Sequence, residues 1–450
     1  MPGLFGTDGI RGKANHYPMT PEVAMRAGRA LVAALNKADG KPHILVGKDT
    51  RLSGDMIECA LAAGICAAGG DVHLCGVLPT PGIAYLTTAQ SMDAGVVISA
   101  SHNPFADNGI KFFNAGGFKL SMEMETSMDE MIRQTDPDTI RASTDGIGSV
   151  YYQPGLEDSY ADFLIRMLPR EERLQGLTVV LDCSNGATYR VAPKVFQALG
   201  AGVEIICAEP DGKNINQGCG SQDTRRLKEI VAEKQADVGL AFDGDGDRLI
   251  AVDETGQNVT GDHILAICAR HLQEAGKLAN NRVVSTVMSN VGFRKAMEAL
   301  GIELIITDVG DRYVLEQMRE KGAVIGGEDS GHMIFLDSHT SGDGILTGLQ
   351  LIKVMRETGR ALSELAGIMQ VYPQVLMNVE IEEKIDIYQI PEIAAAISRV
   401  ENALDGQGRV LVRYSGTQPL CRVMVEGPDP EQTRRYCEDI VEVIRSRIGR

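Results

Sequence analysis

Thr178-Val-Val-Leu-Asp182, followed after a helical segment by Phe196-Gln-Ala-Leu-Gly-Ala-Gly-Val-Glu-Ile-Ile206, decides the fold class. The first stretch is strand-like, rich in β-branched residues. The second is a helical pattern that ends on glycine, the residue best suited to a left-handed C-cap, and runs straight into a strand. Strand, helix and strand in that order form a βαβ unit, which implies parallel pairing. The signature occurs twice more. Ile44-Leu-Val-Gly47 precedes Ile65-Cys-Ala-Ala-Gly-Gly-Asp-Val-His-Leu74, and Arg282-Val-Val-Ser-Thr286 precedes Met297-Glu-Ala-Leu-Gly-Ile-Glu-Leu-Ile-Ile306. This weak internal repeat predicts three related α/β domains with parallel or mixed sheets, over residues 1–153, 154–255 and 256–370. Beyond Gln370 the pattern changes. Strand material over Val371–Ile381, a helix start at Pro391-Glu392, strands at Arg409–Arg413 and Cys421–Glu426 and a final helix from Pro430 predict a smaller α+β domain over 371–450.

Composition narrows the function. With 44 Lys and Arg against 61 Asp and Glu in 450 residues, the net charge is -17. That excludes the basic stripe a nucleic-acid surface needs. An anionic small molecule can still bind where local arginine, lysine, metal or helix N-termini overcome the general repulsion. Nine scattered cysteines without a C-x-x-C spacing read as reduced thiols, neither a zinc site nor a disulfide frame. No stretch is long and apolar enough for a membrane span, and the first residues carry no leader pattern, so a cytoplasmic location is expected.

Asp243-Gly-Asp-Gly-Asp-Arg248 places three carboxylates at every second residue, with apolar runs Val238–Phe242 before and Leu249–Val252 after. An extended backbone there would point Asp243, Asp245 and Asp247 to one side, converging on a hard divalent cation. A calcium EF-hand with Glu254 at the twelfth position is the competing reading, but Arg248 stands where that loop requires glycine and the flanks are strand-like. Upstream, Gly95–Ser99 runs out through Ala-Ser101-His102-Asn-Pro104 and Asp107-Asn-Gly109, expected to be a turn that exposes one hydroxyl. In an extended chain the side chains of Ser101 and His102 point apart, so a dyad by adjacency is a poor reading. By themselves Lys111 reads as a solvated lysine, His332 as a loop histidine and Arg413–Thr417 as a hairpin turn.

Taken in order, Phe5-Gly-Thr-Asp-Gly-Ile-Arg-Gly12, Ser99–Pro104, Asp243–Arg248, Gly327-Glu-Asp-Ser-Gly-His332 and Arg413-Tyr-Ser-Gly-Thr-Gln-Pro419 resemble the motif series of the α-D-phosphohexomutase superfamily. Gly47–Gly54, Asn214–Asn216 with Gly220, Val309–Val314 and Thr340–Ile345 add support, and the chain is most similar to the bacterial branch acting on glucosamine phosphates. The resemblance implies a four-domain, heart-shaped protein around a central cleft. Ser101 would be the phosphoserine, and Ser101 with Asp243, Asp245 and Asp247 would hold one Mg²⁺. Arg11, His102, Lys111 and His332 would assist catalysis, Lys111 and His332 as acid or base. Arg248, Gly310, Asp311, Glu328, Ser330, Arg413, Ser415, Gly416, Thr417 and Arg422 would bind the sugar phosphate. The implied reaction interconverts glucosamine 6-phosphate and glucosamine 1-phosphate through a 1,6-bisphosphate, which also serves as activator, and feeds UDP-N-acetylglucosamine and cell-wall synthesis. A homodimer is a family expectation. A mutase for glucose or mannose phosphates and a catalytically silent sugar-phosphate-binding relative are the alternatives. Three departures stand out: Asp329, where Gln or Asn is common, Gln418, where Glu is usual, and Gln222-Asp223. Asp329 is expected to favour the glucosamine ammonium by charge attraction.

Overall fold

The computed structural model describes residues 3–6, 8–37, 40–133, 140–169, 173–414 and 419–450. Two compact units divide the chain, residues 1–288 with 302–368, and residues 289–301 with 369–450.

The first unit opens with β1 (Phe5–Gly6), β2 (Gly9–Lys13), α1 (Pro21–Leu35), β3 (His43–Lys48), α2 (Gly54–Ala67), β4 (Asp71–Val77), α3 (Thr80–Ala89), β5 (Ala94–Ile98), β6 (Asp107–Asn114), α4 (Met122–Arg133) and β7 (Val150–Tyr152). Its sheet has the order β1-β2-β6-β5-β3-β4-β7, parallel through β5, β3, β4 and β7 and antiparallel at β6. Ile44, Val46 and Val96 pack against Leu61 and Ile65 of α2 in one buried cluster. The second sheet, β12-β11-β10-β8-β9, combines α5 (Leu156–Arg166), β8 (Thr178–Asp182), α6 (Val191–Ala198), β9 (Gly202–Ile206), α7 (Arg225–Lys234), β10 (Val238–Phe242), β11 (Leu249–Asp253) and β12 (Asn258–Val259). The third, β14-β13-β15-β16, follows α8 (Gly261–Glu274). It contains β13 (Arg282–Thr286), β14 (Glu303–Thr307), α10 (Asp311–Lys321), β15 (Ile325–Gly327) and β16 (Met333–Phe335), then leads to α11 (Gly344–Thr358) and α12 (Leu362–Ala366).

The repeat holds at the expected places. Each predicted βαβ strand pair is parallel, β3 with β4, β8 with β9 and β13 with β14. The three glycines after the helices, Gly69, Gly200 and Gly301, have φ of 95°, 91° and 65°, the left-handed exit predicted for them. All three sheets also share an antiparallel return, from β5 to β6, β10 to β11 and β15 to β16. The three connecting loops therefore occupy one topological position, and they carry Ser101, the aspartate triad and Glu328.

Helix α9 (Val291–Ala299), between β13 and β14 in sequence, belongs to the second unit. The fully buried Glu426 explains it: one carboxylate accepts from Val291 N–H at 3.1 Å and from Arg409 Nε at 2.7 Å. The rest of that unit is an antiparallel sheet of β17 (Gln374–Glu380), β19 (Leu420–Glu426) and β18 (Arg409–Tyr414), with α13 (Pro391–Leu404) and α14 (Pro430–Ile448). Val379, Val423 and Val425 bury against Ile397, Ile440 and Ile444.

Two local expectations are corrected. Asn108 and Gly109 lie inside β6 instead of in a turn, because Asn108 is buried with its amide on Ser53 Oγ and a Cβ at Gly109 would stand 2.5 Å from Ser99 O. Residues 243–247 leave the strand as a turn, with Gly246 at φ 73°, so the carboxylates do not converge by extended alternation. Strands on both sides rule out the EF-hand. No helix among the described residues is long and apolar enough to cross a membrane.

Candidate active site

Ser101 sits in the loop between β5 and β6, 1% exposed, with φ 53°. Its Oγ donates to Asp243 Oδ2 at 2.6 Å and lies 3.2 Å from His102 Nδ1. The adjacent pair meets after all, because the left-handed turn at Ser101 abolishes the extended geometry that would separate the two side chains. Below the loop lies a buried ion pair. Arg51 Nε donates to Asp49 Oδ2 at 2.8 Å, and its Nη atoms hold the carbonyls of Ser101, Asn103, Pro104 and Asp107. Ser99 Oγ donates to the same Asp49 oxygen at 2.6 Å. Asn216 Nδ2 adds bonds to Ser101 O and Asn103 O at 2.9 and 3.1 Å. One hydroxyl is thus fixed by a rigid floor.

Asp243, Asp245 and Asp247 are buried, each offering a carboxylate oxygen within 4.8 Å of the others. Gly244 makes this approach feasible, since a Cβ there would stand 2.6 Å from Ser101 O. Asp245 Oδ2 accepts from Thr80 Oγ1 at 2.6 Å and from Lys111 Nζ at 2.8 Å. Asp245 Oδ1 and Asp247 Oδ1 are buried without a hydrogen-bond partner. Buried carboxylate oxygens rarely remain unsatisfied, and oxygen-only donors suit a hard divalent cation. The triad therefore fits such an ion. Burial, with Asp247 and Asp245 close by, holds the Asp243 carboxyl well above its usual range.

Cationic side chains surround this charge. Lys111, 2% exposed on β6, also lies 3.1 Å from Asp8 Oδ2. Burial opposes its charge, but Asp245, Asp8 and Asp247 raise it well above the usual lysine value. Arg11 pairs with Asp8, and Lys119 bridges Asp8 to Asp311 at the first turn of α10. His332 is buried with Nδ1 3.7 Å from Asp247 Oδ2 and Nε2 3.7 Å from Asp311 Oδ2. Burial would lower its pKa, yet Asp247 and Asp311 raise it. His102 goes the other way, to about 4, through burial and then the charges of Arg248 and Arg11. Arg248 Nη1 is 3.1 Å from His102 Nδ1, and a guanidinium only donates. That nitrogen's lone pair is therefore taken, which leaves Asp243 to accept the Ser101 proton.

The third loop stands beside these groups. Arg248 and His332 form a β-bridge, and Gly310 N–H donates to Glu328 Oε1 at 3.1 Å. Ser330 Oγ is buried with no partner. Asp329 Oδ1 accepts from Asp262 N–H at 3.3 Å in the first turn of α8, a helix cap that the sequence reading did not anticipate.

In the second unit Arg413 and Arg422 are direct cross-strand partners on β18 and β19. Like charges placed opposite repel, so an anion would relieve the pair. Arg422 Nε is buried without a hydrogen-bond partner. Ser415, Gly416 and Thr417, with Gln418, lie outside the described residues. Asp8, Asp49, Arg51, Thr80, Lys119 and Asn216 were missed as site residues, although several fall inside the quoted motifs. Asp8, Asp49, Arg51 and Asn216 carried a signal only as members of motifs and Thr80 and Lys119 carried none, because the contacts that bring Arg51, Thr80, Lys119 and Asn216 to the site reach over 50 or more positions.

Four models of phosphoglucomutase/phosphomannomutase domains match the chain. Alpha/beta/alpha domain I covers residues 2–139, domain II 158–256, domain III 260–372, and the C-terminal domain 376–443. A phosphoglucosamine mutase of Syntrophus aciditrophicus (strain SB) is 54% identical over 449 residues, with 100% of both chains covered. A phosphoglucomutase/phosphomannomutase family protein from Burkholderia thailandensis shares the fold at TM-score 0.80 and 24% identity, over 99% of this chain and 98% of that one. Aspergillus fumigatus N-acetylphosphoglucosamine mutase, solved with GlcNAc-6P and magnesium, has TM-score 0.70 at 16% identity, covering 98% and 95%. With all four domain models matched in order and more than half of its residues shared with a relative of equal length, the chain belongs to the phosphoglucomutase/phosphomannomutase family.

Proposed function

We propose that this protein interconverts glucosamine 6-phosphate and glucosamine 1-phosphate by way of a phosphoserine at Ser101 and a bound 1,6-bisphosphate, a step toward UDP-N-acetylglucosamine. The observation that carries the reading is the buried hydroxyl of Ser101, held 2.6 Å from Asp243 on a floor of fixed carbonyls. Its 54% identity to a phosphoglucosamine mutase supports the amino-sugar substrate.

Phosphoryl transfer is governed by positioning and charge neutralisation. Ser101 presents the oxygen that gives its phosphoryl group to the free hydroxyl of the sugar phosphate. Asp243, Asp245 and Asp247 would hold Mg²⁺, which when bound neutralises charge on the transferring phosphoryl oxygens. Lys111 and Arg11 supply further positive charge from the side of β6 and β2. Lys111 and His332, both buried among carboxylates, are placed to hold or return the proton of the reacting sugar hydroxyl. Arg248, Gly310, Asp311, Glu328 and Ser330 would orient the sugar. Arg413 and Arg422, with Ser415, Gly416 and Thr417, would clamp the non-reacting phosphate, a bidentate task suited to guanidinium. After the bisphosphate reorients, its other phosphate returns to Ser101. A trace of hexosamine or hexose 1,6-bisphosphate would prime unphosphorylated protein. We place the enzyme in the cytoplasm as a homodimer, on the family expectation.

Turnover of glucosamine 1-phosphate is to be compared with glucose 1-phosphate and mannose 1-phosphate, with Mg²⁺ and a trace of the matching bisphosphate. Preference for the amino sugar is expected. Comparable rates on the plain hexoses would make it a general hexose mutase, and no rate on any would leave a binding protein.

A further inference from the structure

Away from the transfer site, two thiols and a carboxylate converge. Cys207 follows β9, and Cys219 lies on the segment 214–220. Their Sγ atoms and one oxygen of Asp182 are within 4.8 Å of one another. Both oxygens of the buried Asp182 are already engaged, by Ser184 N–H at 2.9 Å and Gly220 N–H at 2.8 Å. Cys207 therefore faces the Cys219 thiol with the Asp182 carboxylate beside both. Cys219 is 1% exposed, while Cys207 is half-buried with Arg226 Nη1 at 3.7 Å from its Sγ. The neighbouring Cys219 thiol, helped by Arg226, lowers the Cys207 pKa against burial and the charge of Asp182, and the Cys207 neighbour, burial and Asp182 together raise Cys219. An accessible, activated thiol beside a buried second thiol is the arrangement of a peroxidatic and resolving pair.

We propose that Cys207 and Cys219 form a redox-active dithiol that closes to a disulfide when oxidised by a hydroperoxide, and that closure bears on the Ser101 loop. The Cys207 thiolate attacks one peroxide oxygen, the O–O bond breaks, and the departing oxygen takes a proton and leaves as water or alcohol. Cys207 is then a sulfenic acid. Cys219 sulfur gives up its proton and attacks the Cys207 sulfur, the S–O bond breaks, and the hydroxide leaves as water with that proton. Two electrons have passed from the two sulfurs to the peroxide.

The coupling runs through the segment that carries Cys219. Asn216 on it holds Ser101 O and Asn103 O, and its own N–H donates to Ser184 O at 2.9 Å. Ser221 N–H donates to Phe242 O at 3.0 Å, at the root of the aspartate loop. Drawing the sulfurs to a bond of about 2.05 Å pulls this segment toward β9 and shifts the amide that fixes Ser101.

The full-length protein is treated with hydrogen peroxide, free thiols are alkylated, and the digest is mapped by mass spectrometry beside a turnover assay. The expected result is a peptide pair linked through Cys207 and Cys219 as the main oxidation product, with turnover down severalfold and restored by dithiothreitol. Cys207→Ser should keep the activity of the reduced protein and lose the peroxide response. Continued alkylation of both thiols, separate over-oxidation of each, protection of the pair by one bound Zn²⁺, or a disulfide that leaves turnover unchanged would each overturn the proposal. Thiol mapping needs no substrate, so its failure is distinct from failure of the mutase reading.

Discussion

Lys111 Nζ stands 2.8 Å from Asp245 Oδ2 and 3.4 Å from Asp247 Oδ2, so a buried ammonium shares two carboxylates of the triad. The lysine offsets part of the charge that a divalent cation also offsets. Removing it should leave three buried carboxylates in greater need of the ion. Lys111→Met is therefore expected to gain more thermal stability from added Mg²⁺ than the wild type does, while turnover falls by about 10²-fold or more if it serves as acid or base. Equal Mg²⁺ shifts in melting scans of the two proteins would show that ammonium and cation do not share this charge.

Ser101→Ala removes the only side chain the mechanism phosphorylates. Turnover should be abolished even with bisphosphate present, and intact mass should show no phosphorylated fraction. The fold should survive, since the change forfeits a single hydrogen bond to Asp243, about 1–2 kcal/mol. Full activity in this variant would refute the phosphoserine.

Arg51 holds four carbonyls of the Ser101 loop and is fully buried with Asp49. Arg51→Met should cost about 3–5 kcal/mol, because it leaves a buried carboxylate uncompensated. Adding Asp49→Asn should recover part of that stability in denaturant titrations. Turnover should stay low in the double variant, because the carbonyl floor is still missing.

The βαβ repeat was legible because strand runs and glycine exits are local signals, and β8 and β13 fall where Thr178–Asp182 and Arg282–Thr286 were read. The site was legible as a set of motifs. Its mechanics were not, since each depends on chain reversals: the left-handed Ser101, the turn at Asp243–Asp247, and the reach of Arg51 over 50 residues to Ser101. Asn108-Gly109 misled because a turn dipeptide was overridden by burial on both sides of β6. Helix α9 was legible as a helix from its glycine exit, but its place in the second unit was not, because its tie is to Glu426, 135 positions on.

Asp329 was expected to select the amino sugar by its charge, but its carboxylate accepts an N–H of the first turn of α8. A carboxylate there is worth about 0.3–1 kcal/mol through the helix dipole. Asp329→Asn should lower the melting temperature slightly and leave the ratio of kcat/KM for glucosamine and glucose phosphates unchanged. A drop in that ratio with unchanged stability would restore the charge-recognition role.

His339 is buried, with Nε2 3.0 Å from Pro81 O and Nδ1 accepting from Ser341 N–H at 3.0 Å. A carbonyl must accept and an amide must donate, so both ring nitrogens are committed in the neutral form. Burial lowers its pKa from 6.5 to about 4, against the opposing bond to Pro81. The unfolded chain therefore binds a proton below 6.5 that the folded chain refuses until about 4, and stability present above 6.5 is lost as pH falls through that window. Asp343, raised to about 6 by burial, acts with the opposite sign over part of the same range. Comparing the wild type with His339→Gln cancels that term. Melting temperature should fall more steeply for the wild type than for the variant between about pH 7 and pH 5. Parallel pH profiles would mean that His339 protonates as readily in the folded chain as in the unfolded one.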